Sequence, residues 1–312
     1  MVVRSVVVLG TAQDGGLPQA GCSCRFCCLA QGDPRRKRTP VALGVELEDG
    51  RNLLIEATKS LAHQLWTWAD ALGGDKPVMP DVVAVTHLHL GHIEGLGQFG
   101  NEVMGRHGTP LMASPAVHEV LERRDMDMFR PLGLDAVSGI RFIQVPHRDE
   151  HGDTHAVLLS GRERKLLFLP DHDTWGGTLA AHIASDIRAW LKELKVDIAL
   201  IDGTFWDGDE LPGRDMSLIP HPTITESIQR LGERDDVNDP DIAFLHLNCT
   251  NPCADPESNE AAKVTELGWR IAREGDERVG GRKIREKLAL AKELAQRAQW
   301  IRRLEVELTA LA

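Results

Sequence analysis

Residues 82 to 95 read V-V-A-V-T-H-L-H-L-G-H-I-E-G, an apolar strand that runs straight into His87, His89 and His92. A strand holds its backbone rigidly, so histidines at its C-terminal end converge on one point without a loop first being ordered. Side chains at i and i+2 of an extended segment point the same way, so His87 and His89 can share one ion while His92 returns from the following turn. A single histidine at a strand end is ordinarily just a hydrogen-bonded residue. Three within six positions point to a metal site, and a chain built this way needs a sheet whose edge can carry one.

The rest of the chain supplies such a sheet. Apolar runs alternate with helical patterns without a linker until about residue 278, which reads as one α/β domain (1–278) followed by a tail (279–312). Strands are expected over 2–9, 41–47, 52–55, 82–85, 110–113, 140–145, 165–169, 197–201 and 241–245. Asp49-Gly50 would close a hairpin between the second and third. Helices are expected over 60–72, with Leu61, Leu65, Trp68 and Leu72 on one stripe, and over 93–103 and 183–194. Beyond Gly280, Leu290, Leu294, Ile301, Leu304, Leu308 and Leu311 mark a heptad seam on a charged helix. That helix either docks on its own domain or pairs two copies as a homodimer.

Composition sets limits on partners. A net charge of −11 argues against a nucleic-acid backbone, and Arg35 to Arg38 form only one short basic run. With no secretory leader and no apolar stretch long enough to span a bilayer, the expectation is a cytoplasmic protein acting on a small molecule, without membrane attachment. In such a setting the cluster Cys22-Ser-Cys24-Arg-Phe-Cys27-Cys28 is better read as metal ligands than as disulfides. Three thiolates at C-x-C-x-x-C spacing need a fourth ligand from elsewhere, and Cys249 and Cys253 lie far downstream.

Three more strands end in ligand-type residues. His147 follows 140–145, with Glu150, His151 and His155 close by; Asp171 follows 165–169, beside His172 and Asp173; His246 ends 241–245. His221 sits in a Pro-His-Pro tract and is expected near the pocket rather than as a ligand.

The central stretch resembles the H-x-H-x-D-H signature of the metallo-β-lactamase fold superfamily, except that Gly91 stands where the Asp belongs. The tract G-T-A-Q-D-G-G-L-P-Q-A-G-C-S-C-R-F-C resembles the subgroup that includes pyrroloquinoline quinone biosynthesis protein B and the cyclic phosphodiesterase of phosphonate breakdown. The resemblance covers about residues 1 to 275, with its motifs in order. It implies a four-layer αββα sandwich, here with an extra C-terminal helix. It also implies a first ion held by His87, His89 and His147, and a second held by His92, Asp171 and His246, with Asp171 bridging and Gly91 weakening the second site. By the same resemblance Cys22, Cys24, Cys27 and Cys249 hold a structural zinc.

The chemistry implied is hydrolysis of an ester, lactone, amide or phosphodiester by water activated on one or two ions of zinc, manganese or iron. The missing Asp also removes a usual proton acceptor, for which Glu150, His155 and His172 are the candidate replacements. An iron-dependent oxidation of the quinone-biosynthesis type and a metal-binding protein without catalysis are the alternatives. Ribonuclease Z shares the sandwich, but this chain offers no broad basic surface for tRNA.

Overall fold

Val6 and Val8 turn to one face of the first strand while Val7 and Leu9 turn to the other, and all four are fully buried. A strand buried on both faces must lie inside a layered structure. The computed structural model, which describes residues 2–148 and 152–278, shows the layers. Glu150, His151 and the tail 279–312, with its expected helix, lie outside the described residues.

The first six strands, β1 (Val3–Gly10), β2 (Ala42–Leu47), β3 (Asn52–Ile55), β4 (Val82–Ala84), β5 (Thr109–Met112) and β6 (Phe129–Leu132), lie in that order in one sheet. The next six, β7 (Ile140–Val145), β8 (Thr154–Ser160), β9 (Lys165–Leu169), β10 (Ile198–Asp202), β11 (Asp241–Leu245) and β12 (Arg270–Ile271), make the second. A short β13 (Glu277–Arg278) returns to pair with β1. Between the sheets, Val6, Val8, Leu43, Val45 and Ile55 meet Val157, Leu159, Phe168, Leu200 and Leu245.

Helices cover both outer faces. Leu61, Leu65 and Trp68 of Leu61–Leu72 pack on the first sheet, where Gly44 makes room for the Trp68 ring: a Cβ there would lie 2.4 Å from it. Trp175, Ile187, Trp190, Ile224 and Ile228 pack on the second. The four-layer αββα order is therefore present. No helix among the described residues is long and apolar enough to cross a membrane.

Two expected helices differ. In place of one helix over 93–103 there is a single turn, Leu90–Ile93, then a 3₁₀ turn, Leu96–Phe99. The backbone is drawn sideways instead: His92 O accepts from Ala57 N and Ala57 O from Gly95 N, so close that a Cβ on Gly95 would be 2.1 Å from Thr58 O. The segment 183–194 starts late, as Ile187–Leu194 capped by Asp186, behind a separate helix Trp175–Ala181. Ile183, at φ 54°, breaks the two apart. Strands β6 and β8 and the helix Ile224–Leu231 carry no sequence expectation.

Candidate metal centre

Strands β9, β10 and β11 are parallel and in register, so Asp171, Asp202 and His246 emerge side by side at one edge of the second sheet. His147 leaves the end of β7 at the same edge, and the segment after β4 brings His87, His89 and His92 across from the first sheet. Ligands thus collect in the crevice beyond the carboxyl ends of the strands, where open α/β sheets place their sites.

Two groups, His87 with His92 and Asp171 and His147 with Asp171 and His221, share one carboxylate. His87, His89 and His147 bring ligand atoms within 4.8 Å of one another, as do His87, His92 and Asp171. Asp171 Oδ1 lies 3.7 Å from His147 Nε2 and 3.5 Å from His246 Nε2, and its Oδ2 lies 3.2 Å from His92 Nε2. Ligands about 2.1 Å from a common tetrahedral ion sit roughly 3.4 Å apart, which these separations match. His87 Nε2, His92 Nε2, His246 Nε2 and Asp171 Oδ2 are buried with no hydrogen-bond partner among the described residues. Orphaned donors and acceptors in a buried cluster are costly unless something satisfies them. A cation does so, and the donor set of imidazoles and carboxylates suits a divalent one.

The Nδ1 atoms of His87 and His246 are held from behind by hydroxyl groups, while those of His147 and His92 only face carboxylates. Thr86 Oγ1 is 2.9 Å from His87 Nδ1, Thr204 Oγ1 is 2.8 Å from His246 Nδ1, and Asp173 and Glu56 face the Nδ1 atoms of His147 and His92 at 3.2 and 3.4 Å. Such partners fix the ring and leave Nε2 aimed at the ion. Glu56 and His246 both sit in the left-handed region, at φ 68° and 62°, a strained conformation kept at this site. Burial holds His87 and His147 below the ordinary histidine range and His89 down to about 4, so these rings stay neutral and able to ligate. Burial acts the same way on His92, but Glu56 and Asp171 overcome it and raise that ring.

Asp14, to which no spacing in the sequence points, completes a third group with His92 and His246. Its Oδ1 is 3.6 Å from the Nε2 of each. The only clue in the sequence is indirect: with Gly91 lacking a carboxylate, an acid in another loop could take its place.

Of the remaining candidates among the described residues, His221 joins the cluster, in a group with His147 and Asp171, and His155 and His172 do not. The His221 ring lies 5.1 Å from that of His147 and 5.7 Å from that of His246, with Nδ1 2.7 Å from Asp202 Oδ2. Burial alone would lower it, but the Asp202 carboxylate raises it. His172 instead bonds Thr178 Oγ1 at 2.8 Å and packs edge-on against Trp175, held down to about 4 by burial. His155 lies against Phe142 and 3.7 Å from Asp153. The geometry thus gives His155 and His172 structural partners.

On the far side of the loop that follows β1, Cys22, Cys24, Cys27 and Cys249 bring their sulfurs within 4.8 Å of one another. Cys249 Sγ is 3.7 Å from Cys22 Sγ, against about 3.8 Å for two thiolates on one tetrahedral zinc. Backbone N–H groups of Gln19, Cys24 and Cys27 point at Cys27, Cys22 and Cys24 sulfurs respectively. Cys28 is exposed and Cys253 is buried in the apolar layer outside the second sheet.

The sequence matches the family described as the Beta-lactamase superfamily domain over residues 51–238. It is 27% identical to coenzyme PQQ synthesis protein B of Ruegeria pomeroyi, covering 86% of this chain and 98% of that one. With the same protein of Methylorubrum extorquens strain PA1 it shares 29% over the same fractions. Among solved structures, Zn²⁺-bound PqqB from Methylobacterium extorquens superposes with a TM-score of 0.69 at 24% identity, covering 88% of this chain and 99% of that one. A diphosphatase of the PhnP family gives 0.59 at 20%, covering 88% and 96%. At those identities the superpositions establish the shared fold.

Proposed function

This chain belongs to the beta-lactamase superfamily, and from that premise we propose that it is a metal-dependent hydrolase acting on an ester, lactone, amide or phosphodiester bond of a small molecule. One observation carries the reading: the inward nitrogens of His87, His92 and His246 and an oxygen of Asp171 are buried, without hydrogen-bond partners among the described residues, and spaced as ligands. His87, His89 and His147 would hold one divalent ion; His92 and His246 would hold a second, with Asp171 shared.

When bound, such ions supply Lewis acidity and bring the pKa of water toward neutrality. The protein's own part is positional. Thr86 and Thr204 hold the imidazoles of His87 and His246, Asp173 and Glu56 face those of His147 and His92, and the Asp171 carboxylate would offset positive charge brought by the ions. His221, braced by Asp202, lies beside the cluster with its ring raised toward the protonated form, placed to donate a proton to a leaving group.

Cys22, Cys24, Cys27 and Cys249 would hold a structural zinc, supported by their tetrahedral sulfur spacing and by the N–H groups directed at them.

A second reading, oxidative chemistry on iron, is favoured by the extent of the match to coenzyme PQQ synthesis protein B. Element-resolved metal content separates the two. Anaerobically purified wild type, His87→Ala and Cys24→Ala are analysed alongside a panel of ester, lactone and phosphodiester substrates. One zinc lost only from Cys24→Ala and a separate zinc or manganese lost only from His87→Ala, together with turnover of a panel member, support the hydrolase. Iron at that site with no turnover moves the oxidative reading ahead. Undiminished metal in His87→Ala would overturn the site itself.

A further inference from the structure

Position 91 carries glycine for a steric reason. An ideal Cβ there would lie 2.2 Å from Asp14 Oδ1, 2.4 Å from its Cγ and 2.5 Å from its Cα. No side chain fits unless the Asp14 loop moves away, so a carboxylate at 91 and the present place of Asp14 exclude each other. The space that a side chain at 91 would take is filled by the acid of another segment.

We propose that Asp14 replaces the carboxylate missing from position 91 as a ligand of the second ion. The inference rests on the metal-centre reading above and adds a residue to it. Asp14 Oδ1 stands 3.6 Å from both His92 Nε2 and His246 Nε2. That distance is long for a hydrogen bond and right for ligands of one ion, and neither nitrogen has another hydrogen-bond partner among the described residues. With Asp171, which lies 3.2 Å from His92 Nε2 and 3.5 Å from His246 Nε2, these residues make a set of two imidazoles and two carboxylates.

The loop is built to hold the acid there. Gln13 N donates to Leu247 O, and Gln13 Nε2 reaches Asn248 Oδ1 at 3.1 Å, so the residue before Asp14 is tied to the two residues after His246. Gln13 O and Oε1 accept from Gly16 N and Gly15 N, closing a turn around Asp14, and Lys59 Nζ donates to Gly15 O at 2.7 Å. Eight residues further on, Cys22 meets Cys249, three residues past His246. The loop is therefore fastened to the His246 segment on both sides of the acid.

The test is metal binding by the full-length protein, not turnover. Zn²⁺ is titrated calorimetrically into metal-depleted wild type, Asp14→Asn, Asp14→Ala, and the exchange variant Asp14→Gly with Gly91→Asp. Circular dichroism and retention of the four-cysteine zinc check that each has folded. The expected result is second-ion affinity weakened at least ~100-fold in both single variants, with the first ion unchanged, and recovery to within about 10-fold in the exchange variant. Two-ion binding at wild-type affinity in Asp14→Asn and Asp14→Ala would overturn the proposal. So would an exchange variant that binds no better than Asp14→Ala, since the two positions would then not be equivalent. Binding by His87→Ala keeps the two ideas apart: if it loses the first ion while the Asp14 variants lose nothing, only the Asp14 inference falls; if it too binds as wild type, the centre itself falls.

Discussion

The molecule brings together two ligand clusters built on opposite plans. The cysteine cluster draws three of its four sulfurs from six consecutive residues, Cys22 to Cys27, and its backbone N–H groups already point at sulfur. The histidine and carboxylate cluster gathers side chains from the ends of β4, β7, β9 and β11, across both sheets, and several of its inward atoms have no hydrogen-bond partner among the described residues. A closed set of four soft ligands suits a structural ion, whereas a wide set with an uncommitted side suits an ion that must also meet a substrate. The first plan depends on local sequence and the second on the whole fold. Removing either cluster should therefore do different damage.

The largest effect is expected at the shared carboxylate. Asp171→Asn keeps the shape but gives up the charge that Asp171 places among His92, His147 and His246. Whichever substrate the protein turns over, kcat/KM should fall about 10³-fold and metal at the histidine cluster should drop, while the four-cysteine metal stays. Loss of both metals together would show that the two clusters are a single unit, and the comparison would fail.

Next is Cys249→Ala. Here the measured quantities are metal content and thermal stability: one zinc lost per chain, and a loss of ~2–3 kcal/mol that lowers Tm by ~5–10 °C. The clusters are joined through the loop from Gln13 to Cys27, so the second ion of the histidine cluster should also weaken, by about 10-fold. An unchanged second ion in a folded Cys249→Ala protein would mean that Gln13 and its bonds to Leu247 and Asn248 hold the loop without help from the thiolates.

The same contrast explains what could be read from the sequence. The cysteine cluster is legible because ligands spaced two and three apart need no knowledge of the fold, and only Cys249 has to come from the resemblance. His87, His89 and His92 are legible for the same reason. His147, Asp171 and His246 stand at the ends of strands whose apolar runs are plain, and residues at the carboxyl ends of parallel strands meet at one edge, but choosing them over neighbours such as His155, His172 and Asp173 takes the resemblance. Asp14 cannot be found in this way. It lies on a loop, in a segment with no ligand spacing, and its partner is the absence of a side chain at Gly91, a relation that exists only once residues 14 and 91 are in contact. The helix expected over 93–103 fails similarly, since apolar spacing cannot show that Ala57 competes for the backbone at His92 and Gly95.

The smallest effect probes the ground between the clusters. Glu274 Oε1 accepts from Thr39 N at 2.6 Å and from Thr39 Oγ1 at 3.1 Å, and Thr39 O in turn accepts from the backbone of Thr11 and Ala12 at the root of the Asp14 loop. Burial pushes Glu274 up to about 7, against which the Thr39 bonds and the charge of Arg38 are insufficient. A carboxyl raised in the folded state contributes stability that is fully present below its unfolded value of 4.5 and is lost as pH rises through 7. Glu274→Gln keeps the acceptor and cannot ionise, so it should melt close to wild type at pH 5 and be more stable by ~1–3 kcal/mol at pH 8. Metal content of both clusters should not change, because the substitution alters a charge behind the loop rather than a ligand in it. A Tm difference that is equal at the two pH values would mean that Glu274 does not titrate between them. A gain at pH 8 accompanied by a change in second-ion affinity would mean that the root of the loop, and not only its tip, sets where Asp14 stands.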